Sequence, residues 1–76
     1  MDAFYAQMEE AIGLEEGTLA ADTEFKELEE WDSLALLTVL VMLQDEYGVT
    51  VSNAEVRGIT TVVELQDLVT AKQSAA

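Results

Sequence analysis

The order of apolar and polar positions lays out the elements. Tyr5, Met8 and Ile12 recur at helical spacing, with Phe4 and Ala11 alongside, and Gly13 follows as a stop. The pattern predicts a first helix over residues 2–12. Residues 13–31 have no sustained period. Leu14, Leu19, Phe25, Leu28 and Trp31 stand singly among acids, which predicts a long loop pinned along the other elements, with room for a helical turn within 24–30. A second helix is predicted over 33–47, with Asp32 as N-cap, Gln44-Asp45-Glu46 as a polar end and Gly48 as terminator. Val49 and Val51 alternate with Thr50 and Ser52, a run too short for a strand and read as an extended connector. A short third helix over 53–57 carries Val56. A fourth spans 61–72, where Thr61 and Glu64 have capping-box spacing and Val62, Leu65, Leu68 and Val69 make the apolar stripe. Residues 73–76 are expected to fray. The sum is an all-α chain, one domain over 1–76: a small four-helix bundle of three main helices, one short helix and a long first loop.

The second helix has more apolar surface than a bundle requires. Leu36, Val39, Leu40, Leu43 and Tyr47 supply one inward stripe. Leu34, Leu37 and Val41 make a second with the same spacing, and Ala35, Thr38 and Met42 add no charge. Either the first loop covers this second stripe or it meets a partner or ligand; the pattern leaves both open.

Charge narrows the partners. Sixteen acids face three bases, Lys26, Arg57 and Lys72, for a net charge of −13 over 76 residues. Such a surface repels nucleic-acid phosphates and anionic membranes and steers toward basic patches on other proteins. With no cysteine or histidine, disulfides, thiolate or imidazole chemistry and most zinc sites are excluded. Catalysis fares poorly as well: a Ser33 nucleophile would need a base, and the nearest lysine, Lys26, lies in the loop. No catalytic residue or metal ligand is assigned. The acidic clusters Glu9-Glu10, Glu15-Glu16 and Glu27 to Asp32 lack EF-hand spacing and read as solvated surface. The longest apolar stretch, Leu34 to Leu43, falls short of the roughly 20 residues a membrane span needs. No signal-type segment opens the chain, so a cytoplasmic location is expected.

One serine stands at the junction of acid and apolar segments. In "EEWDSLALL", residues 29–37, Asp32-Ser33-Leu34 opens the second helix. Serine suits a helix start generally, so Ser33 has a plain structural reading. Its setting is also that of a known family. A long acidic loop precedes Asp32-Ser33-Leu34, and a short helix and a capped final helix follow. "ADTEFKEL" (21–28), "LQDEYGVTV" (43–51) and "ITTVVELQDLV" (59–69) extend the match over nearly the whole chain. The sequence resembles the acyl carrier protein family, which includes peptidyl and aminoacyl carriers.

The resemblance implies a 4′-phosphopantetheine arm on Ser33, joined through a phosphodiester and added from coenzyme A by a separate phosphopantetheinyl transferase. Acyl or related intermediates would ride on its thiol between loading ligases or transferases and synthases. Asp32 would cap the helix and help the transferase recognise the site. Leu34, Leu37 and Val41 would contact partner enzymes, and Val56 and Ile59 would line a cleft toward the third helix. A diffusing shuttle is expected to be a monomer.

Two departures weaken an assignment to primary fatty-acid synthesis. Ala35 and Thr38 stand where such carriers usually place acids after the serine, and Trp31 replaces the family's common glycine before Asp-Ser. A specialised polyketide, modified fatty acid or aminoacyl pathway fits these better. Trp31 itself reads as a packing anchor on Leu36 or its neighbours. The competing function is an unmodified acidic helical adaptor that binds a protein through the Leu34/Leu37/Val41 stripe.

Overall fold

Four α-helices and one 3-10 turn make up the computed structural model, which describes residues 2–75. They are α1 (Asp2–Ile12), α2 (Ser33–Tyr47), α3 (Asn53–Arg57) and α4 (Val62–Ala75), with the 3-10 turn at Phe25–Glu27 inside the first loop. No strand occurs among the described residues. α1 packs along α2, and α2 meets α4.

Local chemistry sets the helix ends. The Asp32 carboxylate accepts from the Ala35 N–H at 2.8 Å and starts α2. Gly48 ends it in the left-handed region (φ 66°), where a side chain would be strained, and its N–H returns to the carbonyls of Leu43 and Gln44. Ser52 and Glu55 form a capping box on α3, with N–H···O distances of 2.9 and 3.2 Å. At the start of α4 the Glu64 carboxylate accepts from the N–H groups of Thr60 and Thr61, both at 2.8 Å. α4 continues through Ala75, past the expected stop at 72, because no glycine or proline interrupts it. Lys72 pairs with Glu55 at 2.8 Å, and the Gln73 amide donates to the Tyr47 carbonyl at 3.3 Å. Ala76 lies outside the described residues.

The core draws on every segment: Phe4, Met8 and Ile12 from α1, Leu19 and Phe25 from the loop, and Ala35, Val39 and Leu43 from α2. Val49 and Val51 of the connector, Val56 of α3, and Val62, Leu65 and Val69 of α4 complete it. On α2 the buried line is Ala35-Val39-Leu43, at i, i+4 and i+8, while Leu36, Leu40 and Tyr47 are half-buried at its edge.

The first loop is built onto this core. Leu19 donates its N–H to the Glu9 carboxylate at 2.8 Å, and Thr23 and Ala21 accept from the N–H groups of Val62 and Val63 at 3.1 and 2.9 Å. Glu9 is therefore buried, unlike the solvated acid expected in its cluster, because a backbone donor of the loop needs its carboxylate. Trp31 packs edge-on against Phe25 (centroids 5.0 Å apart, planes at 79°), so its aromatic partner belongs to the loop and not to α2. With its apolar residues turned into the core, the loop leaves Leu34, Leu37 and Val41 uncovered.

Candidate functional site at the start of the second helix

Ser33 is the first residue of α2 and is exposed. Its hydroxyl makes no hydrogen bond among the described residues. The Asp32 cap fixes the helix start and hence the direction in which Ser33 projects. The cap satisfies the N–H of Ala35, and the Asp32 carbonyl accepts from Leu36 at 3.0 Å. The N–H groups of Ser33 and Leu34 keep no partner within the helix, as at any helix start. An exposed hydroxyl beside free donors at the positive end of a helix suits a phosphodiester. Asp32 and the exposed Glu29 and Glu30 add like charge around it, so the fit rests on the backbone donors.

Leu34, Leu37 and Val41 continue from Ser33 along α2 and are 70, 59 and 48 % exposed. Thr38 is exposed among them, its hydroxyl donating to the Leu34 carbonyl at 2.8 Å. Asp32, Ser33 and the stripe thus share the outer side of one helix.

Two expected positions fall elsewhere. Val56 is 4 % exposed and offers no surface to a partner, because it is the one side chain by which the short α3 reaches the core. Ile59, just beyond α3, is half-buried. Ala35 is not on the outer side where acids were expected: at 4 % exposure it lines up with Val39 and Leu43 against the core. Only Thr38 stands at such an outward position without charge.

Two residues carry roles that the sequence reading did not assign. Glu9 pins the loop, and Lys26 donates from its amine to the Val56 carbonyl at 3.0 Å. Their partners lie 10 and 30 residues away, beyond any local pattern. An open groove of about 380 Å³ between α1 and α2, lined by Gln7, Glu10, Ala11, Thr38, Met42 and Glu46, meets the stripe only at Thr38 and includes neither Asp32 nor Ser33. Covalent attachment at an exposed hydroxyl needs no pocket. Among the described residues no group of three acids, histidines or cysteines could hold a metal, and no helix is long and apolar enough to cross a membrane.

Residues 2–69 match the family model described as the phosphopantetheine attachment site. The chain is 33 % identical over 64 residues to the acyl carrier protein of Rubrobacter xylanophilus, covering 84 % of this chain and 79 % of that one. It is 31 % identical over 58 residues to the acyl carrier protein of Rhodococcus erythropolis, covering 76 and 64 %. The solution structure of a holo acyl carrier protein from Geobacter metallireducens superimposes with a TM-score of 0.80 over 97 % of this chain and 85 % of that one, at 24 % identity, which shows a shared fold. The chain therefore belongs to the acyl carrier protein family, whose members are carriers rather than enzymes and whose cofactor is covalently bound 4′-phosphopantetheine.

Proposed function

We propose that Ser33 carries the phosphopantetheine arm and that the protein shuttles acyl or related intermediates in a specialised pathway (polyketide, modified fatty acid or aminoacyl) rather than in primary fatty-acid synthesis. The observation behind the attachment point is the free, exposed Ser33 hydroxyl at a helix start held by Asp32. The chain has two other serines. The Ser52 hydroxyl is committed to the α3 capping box, and Ser74 lies at the far end of α4.

The arm supplies a terminal thiol, which the chain lacks, and with it thioester chemistry. Ser33 supplies the oxygen that bonds to phosphorus as the pyrophosphate linkage of coenzyme A breaks and adenosine 3′,5′-bisphosphate leaves. The base that takes its proton comes from the transferase, since Lys26, the nearest lysine in sequence, spends its amine on backbone carbonyls. Asp32 holds the helix start and gives the transferase a recognition point.

Leu34, Leu37 and Val41 form the face that loading ligases, transferases and synthases meet. Thr38 in their midst makes this docking more apolar and less ionic, the feature that favours a specialised pathway. Ile59 borders α3 beside the buried Val56, so shelter for a cargo at that cleft requires α3 to move aside. The protein works as a cytoplasmic monomer.

Trypsin cuts after Lys26 and Arg57, leaving Ser33 and Ser52 on one peptide for fragmentation. Loading the arm and mapping it should place it on Ser33; an arm on Ser52 or Ser74 overturns the site. The pathway is tested by offering the loaded protein to fatty-acid elongation enzymes beside their own carrier. Slow elongation is expected, and parity would overturn the specialised reading.

A further inference from the structure

Trp31, the single tryptophan of the chain, keeps a surface that the fold does not use. Its ring packs edge-on against the buried Phe25, with centroids 5.0 Å apart. Its backbone N–H donates to the Leu28 carbonyl at 3.0 Å. Side chain and backbone are therefore both held, yet the residue is only half-buried. Its indole N–H makes no hydrogen bond among the described residues. No buried side-chain donor there lacks a partner, so this N–H faces solvent. A buried tryptophan usually pairs that donor. Part of the ring thus stays at the surface, fixed in place.

That surface lies beside Ser33. Asp32 between them is extended (φ −149°, ψ −171°), which sets the Cα atoms of Trp31 and Ser33 about 7 Å apart. An indole side chain spans such a gap. The other neighbours of Ser33 offer less to an attached group. Glu29, Glu30 and Asp32 are exposed acids that repel a phosphodiester and present no apolar face. Leu34 is 70 % exposed, with little packing to hold it in one place.

We infer that Trp31 is the seat of the first segment of the arm, its indole receiving the two methyl groups of the pantoyl unit. This rests on Ser33 carrying the arm. Those methyl groups follow directly on the phosphodiester, so they are the first apolar atoms past Ser33. Their contact with the ring removes apolar surface from water. Because Phe25 already orders the ring, little of that gain is lost to ordering it. Trp31 is a positioning residue: it settles the root of the arm and leaves the Leu34/Leu37/Val41 stripe to partner enzymes.

The test is NMR on the isotope-labelled full chain bearing an unlabelled arm, once intact mass and peptide mapping have located that arm. Isotope-filtered NOEs should join the pantoyl methyl protons to the indole protons of Trp31. The ring current should also move the methyl signals upfield of their positions in free phosphopantetheine. The upfield shift should shrink in Trp31→Phe and vanish in Trp31→Ala. With the arm on Ser33, methyl signals at their free positions in the native chain overturn the inference and leave the assignment of Ser33 standing. So do NOEs to Leu34 and Leu37 in place of Trp31, or an upfield shift that survives in Trp31→Ala. An arm found on another serine overturns the Ser33 reading and this inference with it. If Trp31→Ala does not fold, the NOEs of the native chain decide.

Discussion

The Glu9 carboxylate of α1 accepts the backbone N–H of Leu19 at 2.8 Å, and both residues are buried. One side chain thus holds the middle of the first loop to the first helix. Glu9→Ala leaves that N–H without a partner and should lower stability by about 1.5–3 kcal/mol. The expected readout is a lower urea midpoint at unchanged slope. Glu9→Gln keeps a carbonyl acceptor and should lose less than half as much. A midpoint unmoved by Glu9→Ala would show that the contact does not hold the loop.

Asp32 is assigned two tasks, and two substitutions separate them. Asp32→Ala removes the cap on the Ala35 N–H and should cost about 1 kcal/mol, while Asp32→Asn, itself a good cap, should restore most of it. If the carboxylate also guides the transferase, Asp32→Asn will still be modified more slowly than the native chain. Equal modification rates for Asn and Asp would confine Asp32 to capping.

Leu37 and Leu43 lie on one helix but on different faces, 59 % and 0 % exposed. Leu43→Ala should cost about 2–5 kcal/mol, a large share of the stability of so short a chain. Leu37→Ala should change stability by less than about 0.5 kcal/mol. On the proposed function it should instead reduce kcat/KM of a cognate loading enzyme by about tenfold. Thermal or urea unfolding beside a loading assay checks both. A Leu37→Ala protein that is destabilised like Leu43→Ala, or loads normally, would remove the stripe from the docking surface.

Acid should loosen α3 and α4 at their starts. Glu55 sits below the ordinary glutamate value chiefly through its hydrogen bond with Lys72, helped by the Ser52 N–H. Glu64 is lowered by the N–H of Thr61, then that of Thr60. A depressed carboxyl contributes stability above its unfolded-state value and loses it as pH falls through the folded one. Carboxyl titration by NMR should place both midpoints below those of unperturbed glutamates, with α3 and α4 amides losing exchange protection over the same range. Ordinary midpoints for both would contradict the capping geometry.

The fold was legible where its determinants are local. Asp32 and Gly48 bound α2, and the Thr61–Glu64 spacing starts α4, because caps act within a few residues. α2 was harder to orient. It is apolar nearly all round, so periodicity identified two stripes and placed Ala35 on neither; the structure turns Ala35-Val39-Leu43 inward. Ser33 could be read from its place at a capped helix start and the second stripe from its spacing, but not whether the loop covers that stripe; the structure leaves it exposed. The roles of Glu9 and Lys26 could not be read, since each depends on a backbone group that only the folded chain brings near. Trp31 was legible as a packing anchor, but its partner, Phe25, is set by the path of the loop.

The most direct test of the account is intact mass after incubation with coenzyme A, magnesium and an active phosphopantetheinyl transferase, with Ser33→Ala beside the native chain. The account predicts one added phosphopantetheinyl group on the native protein and none on the variant. A folded native protein that gains no mass while a control carrier is modified, or a Ser33→Ala variant that still gains it, would contradict the account.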